Sequence, residues 1–425
     1  MKKKKYKKIV LKNGLRVIIA PQKETKAATV LVLVGTGSKY EKKENSGVSH
    51  FLEHGFFLGT KKFKNQIEIS KVLDEIGSFY NAFTGEENTG FYVLAAANHV
   101  EKIIDWISEI FFNSLFSPKV IEKEKGVIIS EINMFLDNPK RHIYDIWKDL
   151  LYGDQPAGWD IAGTIDSVSQ MTRKDILDYF YSQYVAKNTV ICVAGNIKEN
   201  KILKKIKKSF SKIKQGDFKQ KELVKEKQDS PQIKIEYKDI EQANIALGVR
   251  AYNIFHKKKY ALQILSLILG GMMSSRIFSA IREKLGTGYD SQTCVNLDTD
   301  TGFLATFVGV DKNKTEQVIS AILNEYKKTK TELISESELK KAKNYIKGQE
   351  ILSLESCSSR AIFYANQELF YQEIKEIEDI FKKIDKVTAK DVQAVAKEIF
   401  VPEKLNLAII GRFKKQDNFK KILKI

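Results

Sequence analysis

The sequence is poor in cysteine, and this shortage excludes two classes of protein. Its 425 residues include only Cys192, Cys294 and Cys357, which are widely separated and never form a C-x-x-C pair. An odd number at such spacing supports neither a disulfide framework nor a cage of thiolate metal ligands. We therefore expect small, buried or half-buried side chains in a reducing compartment, and a cytoplasmic location.

Arginine is scarce in a strongly basic chain. The formal net charge is +18, yet only eight of the 71 basic residues are arginines. Nucleic-acid sites favour arginine because its guanidinium group makes bidentate contacts to bases and phosphates. Lysines scattered along helical faces instead form a solvated surface, so we expect no nucleic-acid partner.

We also expect no long apolar run. We find none near the roughly 18 residues that a membrane-spanning helix needs, and the segment 9–20 is interrupted by Lys12, Asn13 and Arg16. The lysine-rich start resembles the beginning of a signal peptide, but the segment behind it alternates like a strand and lacks a small-residue cleavage site. We therefore expect no association with a membrane.

Two halves of the chain share a pattern of strands and helices. The apolar strand at residues 28–35 has a counterpart 215 positions later, at residues 243–250, and Thr89-Gly90-Phe91 recurs 212 positions later as Thr301-Gly302-Phe303. A near-constant offset with matching element order indicates a duplicated domain.

The predicted fold class is α+β, with two homologous domains that each consist of a mostly antiparallel sheet packed with helices. We place the first domain at residues 1–215 and its homologue at residues 231–425. Residues 216–230 are rich in lysine, glutamate and glutamine, which is typical of an exposed linker.

Histidine is scarce too, which gives weight to one short motif. Two of the five histidines, His50 and His54, are four residues apart with Glu53 between them. On a helix, residues four apart share a face, so the two imidazoles can hold one metal ion while the carboxylate lies beside them as a base for water. This order, H-x-x-E-H, is the inverse of the commoner H-E-x-x-H motif of zinc peptidases. The alternative is an accidental pair of structural histidines.

The second domain lacks this motif. The duplication offsets place its counterpart at residues 262–269, which contain no histidine, cysteine, aspartate or glutamate. We expect one metal ion per chain, held by the first domain. A third ligand is required, and the helix predicted at residues 118–135 offers Glu124 and Glu131, seven residues apart on one face. Helical spacing alone does not choose between them.

The chain resembles the pitrilysin or insulinase-like zinc metallopeptidases. The matching stretches are residues 11–14 (LKNG), 47–54 (GVSHFLEH), 80–84 (YNAFT), 131–134 (EINM) and 282–289 (REKLGTGY). The resemblance implies Zn²⁺ held by His50, His54 and Glu131, because the third ligand of this family lies 77 residues past the second histidine, as Glu131 does here. It leaves Glu124 as the carboxylate that orients a histidine ligand.

The same resemblance assigns substrate contacts. It implies that Arg282 and Tyr289 contact the substrate backbone and stabilise the oxyanion. It also implies that Asn81, Ala82 and Phe83 lie on an exposed sheet edge, where an extended peptide adds as a further strand.

The activity implied is that of a zinc metalloendopeptidase acting on peptides or unfolded segments, with Glu53 as the general base. Family members of this length imply a homodimer, or a heterodimer with a sister chain, in which Arg282 and Tyr289 act in cis or in trans. The alternative is a non-catalytic or regulatory subunit of a two-chain peptidase.

Overall fold

The computed structural model describes residues 5–288 and 290–425, which form two compact units. The first unit comprises the chain up to Ile132 together with Asp160–Glu222 and Glu350–Glu376. The second comprises Asn133–Trp159, Leu223–Gln349 and Ile377–Ile425. Each unit has its own sheet and its own core.

Strands of both units alternate with helices along the chain. The strands of the described residues are β1 (Lys7–Val10), β2 (Arg16–Pro21), β3 (Ala27–Val34), β4 (Phe79–Thr84), β5 (Thr89–Ala96), β6 (Thr189–Gly195), β7 (Gln232–Tyr237), β8 (Gln242–Arg250), β9 (Gln292–Leu297), β10 (Gly302–Asp311) and β11 (Leu405–Gly411). The α-helices are α1 (Val48–Gly55), α2 (Gln66–Asp74), α3 (Val100–Asn113), α4 (Pro118–Leu136), α5 (Pro139–Tyr152), α6 (Ile165–Gln170), α7 (Arg173–Gln183), α8 (Glu199–Ser209), α9 (Lys259–Ser266), α10 (Arg276–Phe278), α11 (Thr315–Thr331), α12 (Glu336–Ser353), α13 (Cys357–Tyr371), α14 (Ile377–Asp385), α15 (Ala389–Ile399) and α16 (Asp417–Ile422).

The sheet of the first unit has the strand order β1-β2-β6-β3-β5-β4. Its neighbouring strands are antiparallel except for β2 and β6, which are parallel. Side chains alternate across the central strand β3: Val30 and Val32 face the core that contains α1 and α3, whereas Leu31 and Leu33 face α13. Both faces are covered, and β3 is accordingly apolar except for the buried Thr29.

The second unit repeats this topology. Its strand order is β7-β11-β8-β10-β9, and its parallel pair, β7 and β11, occupies the position of β2 and β6 in the first sheet. The expected α+β fold with two homologous domains is thereby confirmed.

Two helices pack outside their own half of the sequence: α5 comes from the first half but belongs to the second unit, and α13 comes from the second half but belongs to the first unit. α5 lies on the second sheet, where Ile146 and Trp147 pack with Ala246 and Phe303. α13 lies on the first sheet, beside β3 and β6. An amphipathic pattern shows that one face of a helix is buried but not which sheet buries it. The linear domain boundaries 1–215 and 231–425 therefore do not describe the exchange of α5 and α13 between the units, and they stay predictions.

One helical run is more apolar than the sequence expectation allowed. Within the described residues, Lys259–Lys284 is long and apolar enough to cross a membrane by length and composition, with a mean hydropathy of 1.6 in its most apolar window. The expectation that no run approaches this length is therefore wrong. However, 61% of the window is buried, and Leu262, Leu265 and Leu269 pack in the core of the second unit.

Candidate metal centre

The H-x-x-E-H motif lies on α1, whose orientation is set by its apolar face. Val48, Phe51 and Leu52 are fully buried in the core of the first unit. The side chains of His50 and His54 project from another face and are 12% and 22% exposed. A rigid helix thus presents both imidazoles at a surface that solvent reaches.

The start of α1 is held by a buried acid that sequence reasoning missed. The two carboxylate oxygens of Glu41 accept hydrogen bonds from the backbone N–H groups of Gly47 and Ser49, each at 2.7 Å. Burial raises the pKa of Glu41 to about 7, against the lowering effect of these hydrogen bonds. The Ser49 hydroxyl donates to Tyr179 Oη at 2.7 Å. These contacts satisfy backbone donors that a helix leaves unpaired at its N-terminus.

Three predicted ligands converge. Glu131 Oε2, from α4, lies 3.7 Å from His50 Nε2 and 3.5 Å from His54 Nε2, and one ligand atom from each residue lies within 4.8 Å of the others. Tetrahedral zinc with ligands at about 2.1 Å needs ligand atoms about 3.4 Å apart. Two imidazole nitrogens and one carboxylate oxygen at these distances fit a zinc ion with a fourth position open for water.

Glu124 contacts the other nitrogen of one ligand. Its Oε1 lies 2.8 Å from His54 Nδ1, so a proton on Nδ1 is donated to Glu124 and the lone pair of Nε2 is left for a metal. Burial by itself lowers the pKa of His54, but the hydrogen bonds and charges of Glu124 and Glu131 outweigh it and raise the pKa to about 9.

The two histidines have different electrostatic surroundings. Burial, followed by the neighbouring charge of His54, lowers the pKa of His50 to about 4. A hydrogen bond with His54 is the main cause that lowers the pKa of Glu131. Without metal, the site therefore holds a neutral His50 beside a His54 that is paired with two carboxylates.

Glu53 lies next to the candidate ligands and has a hydrogen-bond partner of its own. The hydroxyl of Thr84, the last residue of β4, donates a hydrogen bond to Glu53 Oε2. Burial raises the pKa of Glu53 above its ordinary value, which suits a group that takes up and returns a proton. The contact with Thr84 was not predicted, because two residues 31 positions apart carry no mutual signal in the sequence.

Residues predicted to contact substrate fall in both units. Asn81, Ala82 and Phe83 lie on β4, which among the described residues pairs only with β5 and so forms an edge of the first sheet. Arg282 is exposed in the second unit, with its guanidinium carbon 5.3 Å from the centre of the Phe278 ring. Tyr289 lies outside the described residues. The roles of all these residues stay predictions.

Two family models match the chain. Residues 16–165 match the model described as insulinase (peptidase family M16), and residues 170–346 match the model described as the peptidase M16 inactive domain. The metal-ligand candidates His50, His54 and Glu131 all lie within the first match.

Curated relatives align over nearly the full length. The chain is 32% identical to YmxG of Bacillus subtilis, described as an uncharacterized zinc protease, over 95% of this chain and 98% of that protein. It is 31% identical to a protein of Rickettsia felis with the same description, over 92% of this chain and 94% of the relative.

Solved structures have the same fold. A protease from Helicobacter pylori superposes with a TM-score of 0.90 at 26% identity, over 96% of this chain and 99% of that one. A peptidase M16 inactive domain from Pseudomonas fluorescens, at 15% identity, has a TM-score of 0.88 over 96% of this chain and 98% of its own length. The sequence matches and the convergent His50, His54 and Glu131 agree, and the chain belongs to the insulinase-like family of zinc peptidases, peptidase family M16.

Proposed function

We propose that this chain is a zinc-dependent metalloendopeptidase that hydrolyses peptides or unfolded segments. The observation that carries the proposal is the convergence of His50 Nε2, His54 Nε2 and Glu131 Oε2, with the Glu53 carboxylate beside them. The zinc-protease descriptions of the relatives support it.

His50, His54 and Glu131 would hold one zinc ion, which when bound lowers the pKa of water and polarises the scissile carbonyl. Glu53 would act as the general base, accepting the proton of the attacking water on its carboxylate and returning it to the leaving amine. Burial, which raises the pKa of Glu53, makes its carboxylate a stronger base for the first of these transfers. Glu124 would hold the proton on His54 Nδ1.

Substrate would bind along β4. As an edge strand, β4 has backbone groups that do not pair with β5, and an extended peptide can use them as a further strand. Asn81, Ala82 and Phe83 would then run beside the residues that flank the scissile bond. In this binding mode the enzyme recognises the backbone of the substrate rather than its side chains, which suits unfolded segments of varied sequence.

Arg282 and Tyr289 would stabilise the oxyanion, either on the same chain or across an assembly. We propose a homodimer, or a heterodimer with a sister chain. Mixing Glu53→Gln chains with Arg282→Ala chains tests the trans arrangement, since each variant supplies what the other lacks and partial activity should return. Activity from a strictly monomeric enzyme in sedimentation would refute it.

A non-catalytic subunit is the second candidate, favoured by the match of residues 170–346 to the inactive-domain model. Incubating the purified chain alone with a quenched peptide library separates the two functions. Cleavage that a chelator abolishes and added zinc restores supports the peptidase. A zinc-loaded chain that cleaves nothing would instead support the subunit. The cytoplasmic location and the lack of a nucleic-acid partner stay predictions.

A further inference from the structure

The turn between β4 and β5, residues 85–88, lies directly beyond Thr84, the residue that donates a hydrogen bond to Glu53. The direction of the Thr84 hydroxyl depends on its χ1 torsion and on the backbone that carries it, and Thr84 pairs with Thr89 at the end of the β4–β5 ladder, where this turn begins. A displacement of this turn would move the hydroxyl that hydrogen-bonds Glu53.

Backbone contacts dock the turn onto a neighbouring loop of the same unit. The N–H groups of Ser38 and Lys39 donate to the carbonyl oxygens of Gly85 and Glu86, at 3.2 and 3.0 Å. The approach is so close that a Cβ at Gly37 would lie 2.1 Å from the Gly85 carbonyl oxygen. Glycine at position 37 is thus a requirement of this docking.

A buried cluster of three charges reinforces the contact. Glu87 Oε1, in the turn, lies 2.9 Å from Lys39 Nζ and 2.9 Å from Lys221 Nζ. The side chains of Lys39, Glu87 and Lys221 are only 1%, 6% and 8% exposed. Burial raises the pKa of Glu87, but the two ammonium groups outweigh it and lower the pKa below its ordinary value. A charge buried this deeply is held tightly by its partners, because losing one leaves the others uncompensated.

Lys221 belongs to the segment predicted to be an exposed linker. Its neighbours Lys219, Gln220 and Glu222 are exposed, as a linker requires, while the Lys221 side chain turns inward to Glu87. One lysine therefore ties this segment to the turn that follows Thr84.

We propose that Thr84 is a positioning residue for Glu53, and that Lys221 holds the β4–β5 turn that keeps Thr84 in place. This inference rests on the proposed peptidase function. It adds a requirement for activity: the linker segment must contact the first unit if the Glu53 carboxylate is to be correctly oriented.

The first test compares Thr84→Val with Thr84→Ser. Valine keeps the shape of threonine but cannot donate, whereas serine can. We expect Thr84→Val to lower kcat by about 10-fold with little change in KM or zinc content, since misplaced catalytic groups slow the chemical step, and Thr84→Ser to retain most of the activity. If Glu53→Gln is inactive but Thr84→Val has the kcat of the wild type, the proposed role of Thr84 is wrong. The proposed peptidase function would still hold.

The second test removes the contact between Lys221 and Glu87 and measures the effect by hydrogen exchange, which does not depend on enzymatic activity. Lys221→Met keeps the side-chain length and removes the charge, and exposed Lys219→Met is the matched control. In metal-free protein we expect faster hydrogen exchange across residues 79–91 in Lys221→Met and unchanged exchange in Lys219→Met. Equal exchange in both variants would overturn the role of Lys221, whether or not the chain is a peptidase.

A double variant tests whether Lys221 acts on Glu53 through Thr84. If Lys221 acts through Thr84, Lys221→Met lowers kcat in the wild-type background and has no further effect on kcat when Thr84 is already valine. Independent, multiplying losses would overturn the connection. A folded wild-type chain that cleaves no peptide would instead contradict the proposed function, while the exchange measurement would still report on the turn.

Discussion

His54 Nδ1 lies 2.8 Å from Glu124 Oε1, and this contact leaves Nε2 of the same ring facing Glu131 Oε2 at 3.5 Å. One imidazole thus links two carboxylates of α4 that are seven residues apart. The two glutamates are equivalent in helical position, but each meets a different nitrogen of the ring. This difference suits Glu131 to binding a metal and Glu124 to orienting the His54 ring.

Replacing Glu124 by alanine should weaken zinc binding by about 10- to 100-fold, because His54 loses the partner that fixes its tautomer and ring orientation. Glu124→Gln, which still accepts a hydrogen bond, should lose less. Competition with a chromophoric chelator measures both affinities. Glu122→Ala is the matched control on the same helix, since its side chain is 68% exposed and pairs with Lys125. An affinity equal in all three variants would contradict the role of Glu124.

Glu53→Gln should abolish peptide cleavage while the protein keeps its zinc. The amide cannot accept the proton of water, yet it has nearly the same shape and lies outside the ligand set. Initial rates on a quenched peptide, together with zinc content by atomic absorption, measure the two effects separately. Full activity in a variant of confirmed zinc content would refute the mechanism.

Removing zinc should lower the melting temperature without unfolding the chain. The apolar face of α1 is buried whether or not metal is bound, so far-ultraviolet circular dichroism should not change. Free zinc at about 100 times its Kd stabilises a folded protein by about 2.7 kcal/mol, equivalent to a shift of about 5–10 °C in a domain of about 150–250 residues. His50→Ala should melt at the same temperature with and without zinc; a zinc-dependent shift there would place the metal elsewhere.

Gly47→Ala should destabilise the first unit by about 2 kcal/mol or more. Gly47 has φ of 91°, and an added Cβ would lie 2.4 Å from the carbonyl oxygen of Ala162. Urea denaturation measures the loss. Gly77→Ala serves as a partial control, because it also has positive φ but has open space around the added Cβ, so it should lose less. Equal losses would show that φ alone matters at Gly47.

Stability should depend on the ionisation of His142, in the second unit. Its Nδ1 lies 3.9 Å from Asp145 and its Nε2 3.0 Å from Glu236, and the two carboxylates raise the pKa of His142 above its ordinary value of 6.5. A raised histidine pKa stabilises the fold below about pH 6.5, and this contribution is lost as pH rises through the folded pKa.

The measurement compares wild type with His142→Gln in urea at several pH values. Wild type should be the more stable at pH 5.5, and its advantage should shrink at pH 8.5. Glu236→Gln in the wild-type background should reduce the pH dependence, because it removes one of the two carboxylates. An advantage that grows with pH would reverse the sign and contradict the assignment.

Much of the fold was predictable because it depends on local pattern. The repeated strand motifs at residues 28–35 and 243–250 became β3 and β8, which occupy equivalent positions in the two sheets. The run Lys259–Lys284 was not recognised as a long apolar stretch, and α5 and α13 pack outside their own halves. The amphipathic pattern of a helix predicts that one of its faces is buried. Which sheet covers that face depends on contacts between residues that are distant in the sequence.

The sequence by itself determined that His50 and His54 can face one metal ion, since helical geometry places residues four apart on one face whatever surrounds them. It also determined, through the offsets of the repeat, that the second domain lacks this pair. Only the tertiary structure decided which nitrogen of His54 meets Glu124 and which meets Glu131. It alone brought Thr84 to Glu53 and Lys221 to Glu87. These pairs are 31 and 134 positions apart, and residues so distant meet only after the sheet and its covering helices have assembled.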